Sequence, residues 1–188
     1  MAFVLLLGGA RAGKSRLAQE LAVRSGAAVT LVATAEAGDE EMADRISRHR
    51  AQRPSSWSTI EEPFELRRAV RAVPEGNLVV IDCLTLWVSN LLGRDEGDQE
   101  IIAAAQEVAQ TLVQRPRSGV VVSNEVGLGI VPASPLGRRF RDTLGSVNSV
   151  FAAFAEQTVL VVAGRVHALT PAAEFIKGFP LEAPPEHR

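Results

Sequence analysis

Residues 3–15 read FVLLLGGARAGKS, an apolar run that ends at Gly8-Gly9 and is followed by Gly13-Lys14-Ser15. Residues 8–15 match the pattern G-x-x-x-x-G-K-[ST], and they lie between a predicted strand and a predicted helix. The glycines allow backbone N–H groups to point inward, and the positive end of the helix adds to the attraction for an anion. The stretch therefore predicts a loop that holds the phosphates of a nucleotide, with Lys14 on the outer phosphates and Ser15 available to Mg²⁺.

The rest of the chain alternates between short apolar runs and stretches with helical spacing. The apolar runs are nearly continuous, as in strands covered on both faces, and they lie at 3–7, 29–32, 78–81, 120–122 and 159–162. The helical stretches lie at 14–24, 39–53, 63–73, 84–92, 99–114 and 136–155. The alternation predicts an α/β fold with a mostly parallel central sheet flanked by helices. We expect residues 1–170 to form this single domain and residues 171–188 to be a Pro-rich tail.

Composition excludes several classes of function. The 188 residues carry a formal charge of −2, and only nine are Phe or Trp, which argues against nucleic acid as the main partner. Cys83 is the one cysteine, so an internal disulfide is impossible, which suits a cytoplasmic protein. The first apolar run is too short for a membrane span and has no basic residue before it, so we expect neither a span nor a targeting segment.

Polar residues follow several predicted strands at the edge where parallel sheets bind ligands. Asp82 ends one strand, where a carboxylate could ligate Mg²⁺ or simply cap the next helix. Glu125 follows another, where it could orient Mg²⁺ or accept a substrate proton. Alternatively, Asn124 and Glu125 could form only a turn or a cap. The sequence alone leaves both alternatives open.

A histidine surrounded by arginines is the second unusual feature. His49 lies on one face of the predicted helix with Met42, Ile46 and Arg53, and Arg45, Arg48 and Arg50 lie close to it in sequence. Their positive charge would attract a triphosphate and favour the neutral imidazole, which can act as a nucleophile. A half-buried helix histidine beside solvated arginines is the plainer interpretation of the same pattern. His167, which follows VVAGRV, could lie near the site too, but it is better explained as a strand-end histidine with a hydrogen-bond partner.

Five segments together resemble a known family, the bifunctional adenosylcobinamide kinase / adenosylcobinamide-phosphate guanylyltransferases of cobalamin biosynthesis. They are GGARAGKSRLAQ, VATAEAGDEEMADRISRHRAQRP, DCLTLWVSNLL, SNEVGLGIVP and RRFRDTLGSVN, and the resemblance runs from near residue 3 to near residue 166. It implies a RecA-like P-loop fold, a cytoplasmic location and a homotrimer. One departure lies in the loop, where Ala12 replaces the usual serine. Because that position contributes chiefly its backbone N–H, phosphate binding should be preserved.

The resemblance implies two reactions. ATP or GTP phosphorylates adenosylcobinamide, and GTP then donates GMP to adenosylcobinamide phosphate through a guanylylated histidine, releasing pyrophosphate. The position that matches this histidine is His49. Two rival interpretations are a P-loop kinase for another small molecule, with His49 structural, and a nucleotide-dependent switch or interaction module. The chain contains no Asn-Lys-x-Asp motif for guanine, which argues against the switch.

The resemblance also assigns nucleotide contacts by position. The whole loop carries over, namely Gly8, Gly9, Ala10, Arg11, Ala12, Gly13, Lys14 and Ser15, and so does the turn of Ala33, Thr34 and Ala35. Arg50, Ala51, Gln52 and Arg53 directly follow the histidine and match GTP contacts. Glu61 matches a further contact, and its carboxylate could accept two hydrogen bonds from guanine. The adjacent Glu62 is the alternative. Asp82 could contact either nucleotide or Mg²⁺.

Overall fold

A computed structural model describes residues 3–36, 40, 44, 47, 50, 53–117 and 119–178 of the chain. Within these residues one seven-stranded sheet is formed by β1 (Val4–Leu7), β2 (Val29–Ala33), β3 (Ser58–Glu61), β4 (Leu78–Asp82), β5 (Gly119–Val122), β6 (Gln157–Val162) and β7 (Arg165–Leu169). The spatial order is β3-β2-β4-β5-β1-β6-β7. Every pair is parallel except β6 with β7. The sheet confirms the prediction of a mostly parallel α/β fold with flanking helices.

The described helices are α1 (Lys14–Arg24), α2 (Leu66–Ala72), α3 (Leu84–Gly93), α4 (Asp98–Val113), α5 (Pro135–Phe154) and α6 (Ala172–Lys177), with a 3₁₀ turn at Val126–Leu128. α5 begins at Ser134, whose Oγ accepts a hydrogen bond from the N–H of Gly137, and Pro135 occupies the first turn. The exposed helix α6 lies in the segment that we expected to be a tail. Of the predicted helix 39–53, the described residues Glu40, Asp44, Ser47 and Arg50 are helical and exposed.

The sheet is covered on both faces, which explains why its central strands are continuously apolar. Leu5 and Leu7 of β1 pack in the cluster with helices α2–α5, whereas Leu6 faces the cluster that contains Ala18 and Ala22 of α1. Alternate side chains of a strand point to opposite faces, so a strand between two layers of helices must be apolar on both. The parallel strands all point the same way, and their carboxyl ends therefore meet at one edge.

The two strands that the sequence did not predict are edge strands. β3 is mostly exposed, and every residue of β7 is exposed. Because an exposed edge strand needs no run of apolar residues, neither segment has the pattern used to find the other five. His167 lies in the middle of β7 and is exposed, so the interpretation as a strand-end histidine was wrong.

Candidate nucleotide site

The phosphate loop connects β1 to α1, close packing on β6 requires a glycine at position 8, and a positive φ favours a glycine at position 13. Gly8 has φ of +149°, and a Cβ there would lie 2.3 Å from the carbonyl oxygen of Val161. Gly13 has φ of +105°, and a Cβ there would lie 3.5 Å from the Cα of Gly164. The N–H of Gly164 donates to the carbonyl of Ala12 at 2.9 Å. A side chain at Gly8 would therefore push the loop away from its neighbouring strand.

Lys14 begins α1 and turns its ammonium group back into the loop. Nζ donates to the carbonyl oxygens of Gly8 at 2.8 Å and Gly9 at 2.7 Å, and to Oδ1 of Asn124 at 2.5 Å. The residue is 7% exposed. Burial lowers the pKa of the Lys14 ammonium, and the nearby Cys83 and Asp82 oppose that shift. All three protons of the ammonium have acceptors, so a phosphate oxygen that takes one must replace a protein oxygen.

One cavity of about 390 Å³ joins the loop to several of the predicted site residues. Its walls include residues 10–15 of the loop together with Ala33, Ala35, Arg53, Asp82 and Asn124. The helix after Asp82 is capped at Cys83 without a side-chain hydrogen bond, so the alternative of Asp82 as a helix cap was wrong. The carboxylate of Asp82 is thus available to the cavity.

Ser15 and Asp82 offer a hydroxyl and a carboxylate oxygen to this cavity, which are suitable ligands for Mg²⁺. Across the described residues no group of three or more His, Cys, Asp or Glu side chains is placed to hold a metal. Mg²⁺ keeps water and commonly takes phosphate oxygens alongside one or two protein ligands. The residues therefore fit a metal that arrives with a nucleotide better than one held by the protein alone.

The turn after β2 is held from beneath by α3. Thr34 is fully buried, and its Oγ1 donates to the carbonyl of Cys83 at 2.7 Å and accepts from the N–H of Cys83 at 2.9 Å. Nδ2 of Asn90 donates to the carbonyl of Thr34 at 2.8 Å. Ala33 and Ala35 line the cavity, whereas Thr34 fixes the turn to the end of β4. The predicted contact from Thr34 itself stays a prediction.

Charged side chains gather at the side of the cavity where β3 ends. Arg50 forms an ion pair with Glu61 through Nη2 and Oε1, and both side chains are about half exposed. Burial lowers the pKa of the Arg53 guanidinium, Asp82 and Glu61 act in the opposite sense, and Arg50 adds to the lowering. Arg53 is therefore near enough to Arg50, Glu61 and Asp82 to feel the charge of each. The structure brings together four of the residues that the sequence singled out.

Glu62 has a different role from its neighbour. Its carboxylate accepts from the N–H groups of Phe64 at 3.2 Å and Glu65 at 3.1 Å, and from Nη2 of Arg68 at 2.7 Å. Burial raises the pKa of Glu62, but the hydrogen bonds from Arg68 and the two backbone N–H groups outweigh it and lower the pKa. Because Glu62 is occupied at the start of α2, Glu61 is the carboxylate available to a ligand.

Three of the predicted site residues lie outside the described residues. They are His49, Ala51 and Gln52. Their roles stay predictions.

A hydrogen-bond network that the sequence analysis did not predict holds the side-chain acceptor of Lys14. Asn124 presents its amide oxygen to Lys14, and its N–H donates to Oγ1 of Thr85 at 2.8 Å. Nδ2 of Asn148, on α5, donates to the carbonyl of Asn124 and to Oε1 of Glu125, both at 3.0 Å. The 3₁₀ turn that follows has no side-chain cap from Glu125, which argues against the capping alternative for that residue. The sequence did contain one signal of this network: Asn148 is a polar residue on a stripe that is otherwise apolar, with Leu144, Val147 and Phe151.

A solved structure from Pyrococcus horikoshii OT3 resembles this chain in fold, with a TM-score of 0.53 at 10% identity over 88% of this chain and 84% of that chain. At that identity the likeness concerns the fold alone.

Among the described residues, the helices are all too short or too polar to cross a membrane.

Sequence comparison is more specific than the fold. The family model described as cobinamide kinase / cobinamide phosphate guanyltransferase matches residues 4–169. The bifunctional adenosylcobalamin biosynthesis protein CobP of Pseudomonas aeruginosa is 46% identical over 161 residues, which cover 85% of this chain and 92% of that protein. The CobU protein of Escherichia coli is 40% identical over 86% of this chain and 96% of its own length. The chain belongs to the cobinamide kinase / cobinamide phosphate guanyltransferase family.

Proposed function

We propose that this protein is a cytoplasmic, bifunctional transferase that phosphorylates adenosylcobinamide and then transfers GMP from GTP to the resulting phosphate. The observation that carries the proposal is a cavity that the phosphate loop, Asp82 and Arg53 line together. A nucleoside triphosphate bound there would have cationic groups at both the loop and the arginine side. Family membership supports this choice over a kinase for another small molecule.

In the first reaction, ATP or GTP binds with its outer phosphates in the loop. The hydroxyl oxygen of adenosylcobinamide forms a bond to the γ-phosphorus, and the bond from that phosphorus to the bridging oxygen breaks. The nucleoside diphosphate leaves, and a base accepts the hydroxyl proton. Lys14 would stabilise the charge that develops on the phosphate oxygens. Mg²⁺ held by Ser15 and Asp82 would supply further charge neutralisation at the phosphates.

In the second reaction, a ring nitrogen of His49 attacks the α-phosphorus of GTP. A nitrogen–phosphorus bond forms, the bond to the bridging oxygen breaks, and pyrophosphate leaves. A phosphate oxygen of adenosylcobinamide phosphate then attacks the same phosphorus and releases the histidine, giving adenosylcobinamide-GDP. Arg50 and Arg53, which lie close together beside Glu61, would neutralise the phosphates during this exchange. His49 is thus required for the second reaction and not for the first.

Glu61 is the residue that we assign to guanine. Its carboxylate can accept from the N1–H and the 2-amino group of guanine, two donors that adenine does not offer together. The ion pair with Arg50 is exposed and therefore worth little, so the carboxylate can exchange that partner for a base at small cost. Glu62 does not have this freedom, because three donors already occupy it.

The direct test is product analysis with purified protein. With adenosylcobinamide and γ-labelled ATP or GTP we expect labelled adenosylcobinamide phosphate. With adenosylcobinamide phosphate, GTP and Mg²⁺ we expect adenosylcobinamide-GDP and pyrophosphate in equal amounts. Phosphorylation of other small alcohols but not of adenosylcobinamide would support the rival kinase. Slow GTP hydrolysis with neither product would support a switch and contradict the proposal.

We also propose that the protein works as a homotrimer. Leu128, Ile130 and Val131 form an apolar surface segment, with Ile130 96% exposed. Exposed apolar side chains grouped in this way commonly mark an interface, and a second copy of the chain would cover them. Light scattering should give about three times the chain mass of 20.1 kDa. A mass equal to one chain at working concentration would contradict the trimer.

A further inference from the structure

Asn148 is a buried amide whose every polar atom has a partner at the nucleotide site. It is 4% exposed and lies on α5, far from the phosphate loop in sequence. Oδ1 accepts from Oγ of Ser123 at 2.6 Å, and Nδ2 donates to the carbonyl of Asn124 and to Oε1 of Glu125. A buried amide with all its hydrogen bonds satisfied is rigid, and it specifies one arrangement of its partners.

Asn124 is in turn the one acceptor of the Lys14 ammonium that comes from outside the loop. The other two acceptors are the carbonyls of Gly8 and Gly9, which belong to the loop itself. Three groups hold Asn124: Thr85 through its N–H, Asn148 through its carbonyl and Lys14 through its side chain. The position of Asn124 therefore fixes the direction in which the ammonium is drawn relative to the loop.

We infer that Asn148 is a positioning residue, which sets where Lys14 presents its ammonium to the phosphates by fixing Asn124 and Glu125. The inference rests on the proposed function wherever its test measures turnover. Both transfer reactions use the same loop and the same lysine, so a change at Asn148 should slow both. The effect should fall on kcat, because the misplaced ammonium would still attract the triphosphate but would no longer match its transition state.

The matched pair of variants is Asn148→Asp and Ser123→Ala. Asn148→Asp is nearly isosteric, keeps an acceptor for Ser123, and replaces the two donated hydrogen bonds by a carboxylate beside Glu125. Ser123→Ala removes the third hydrogen bond and leaves both donated ones. For Asn148→Asp we expect kcat of both reactions to fall about 10- to 100-fold, with KM for the nucleotide within about threefold, as for a reacting group held out of place. Ser123→Ala should stay within about threefold of wild type.

The pH dependence provides a readout that loss of packing would not give. A protonated carboxyl group regains an O–H donor. The activity of Asn148→Asp relative to wild type should therefore rise as the pH is lowered. A ratio that is flat with pH would contradict the hydrogen-bonding role.

The chain has only two lysines, Lys14 and Lys177, so lysine-selective ¹³C and ¹⁵N labelling reads the ammonium directly. The Lys14 signal should move in Asn148→Asp and in Thr85→Val, which also loosens Asn124, and it should stay in place in Ser123→Ala. Lys177, on the exposed helix α6, is the internal reference.

This measurement needs no turnover, so it separates the two ideas. Absence of both products with wild-type protein would refute the proposed function, while the Lys14 signal would still decide the role of Asn148. If Asn148→Asp does not fold, Asn148→Ala, which also removes both donated hydrogen bonds, carries the test. A Lys14 signal that matches wild type in the folded variant, or equal loss of kcat in Asn148→Asp and Ser123→Ala, would overturn the inference.

Discussion

The charged side chains at the two ends of the nucleotide cavity differ in burial and in how firmly their partners hold them. The phosphate end consists of the loop and Asn124, where Lys14 is 7% exposed and bonded to three oxygens. The arginine end is Arg53, which lines the cavity, together with the neighbouring ion pair of Arg50 and Glu61, whose side chains are about half exposed. A buried, fully bonded charge is fixed in place, whereas a solvated ion pair is screened and exchanges partners easily.

The difference indicates a division of labour. Transition-state stabilisation depends on groups that are placed before the reaction, and the phosphate end has them. Choice of nucleotide depends on groups that can leave a protein partner for a ligand, and the arginine end has those. We therefore expect variants of the first end to change rate and variants of the second to change selectivity.

The largest effect should come from Lys14→Ala. Both reactions should slow by about 1,000-fold, because removal of one preorganised donor from a transition state commonly costs two to three orders of magnitude. Steady-state kinetics of phosphorylation and of GMP transfer will measure it. Lys177→Ala, which changes the other lysine of the chain, is the control and should match wild type. Loss of only one of the two activities in Lys14→Ala would contradict the proposal that both reactions use the same phosphate loop.

The second effect concerns the thiol beside Asp82. Burial, with the negative charge of Asp82, raises the pKa of the Cys83 thiol to about 11. At pH 8 the reactive thiolate should therefore be more than about 100-fold scarcer than for a thiol of ordinary pKa near 8.5. Alkylation of the native protein should be correspondingly slow, it should accelerate as the pH approaches 11, and it should be fast after denaturation. Rapid labelling at pH 8 without unfolding would show that this end is more open than the structure indicates.

A smaller and more selective effect is expected at Glu61. Glu61→Gln should reduce the preference for GTP over ATP in nucleotide binding by about 10- to 100-fold, since a hydrogen bond to a charged acceptor is worth about 1.5–3 kcal/mol. Titration of both nucleotides will measure the ratio of dissociation constants. Phosphorylation with ATP as donor should change little. An unchanged ratio of dissociation constants would show that Glu61 does not contribute to guanine recognition.

The smallest effect should come from the neighbouring Glu62→Gln, which serves as the matched control. Selectivity should be retained, and the melting temperature near pH 7 should fall by about 2–4 °C for a loss of about 1 kcal/mol, as when a helix loses a cap. The pKa of Glu62 is lowered in the folded state, so its contribution is present above its unfolded pKa and is lost as the pH falls through the folded value. The two proteins should therefore converge in stability in acid. A change in nucleotide preference in Glu62→Gln would show that guanine recognition was assigned to the wrong carboxylate.

The structural features that could be predicted from the sequence are those that depend on residues close together in the chain. The phosphate loop is a local pattern, and the five predicted strands are buried runs with a composition of their own. β3 and β7 were missed because an exposed edge strand does not need apolar residues. The support of Lys14 was missed because Thr85, Asn124 and Asn148 lie far apart in the chain, and only the topology of the sheet and α5 brings them together. Asn148 on an apolar stripe was a signal of burial that gave no indication of its partner.

The central claim is that GMP passes through His49, and covalent labelling tests it most directly. The protein is incubated with GTP labelled at the α-phosphate, denatured, and separated from free nucleotide. We predict that wild type and the control His167→Ala retain an acid-labile label, whereas His49→Ala retains none and still phosphorylates adenosylcobinamide. Label on His49→Ala at the wild-type level, or wild type that transfers GMP without ever carrying label, would contradict the account.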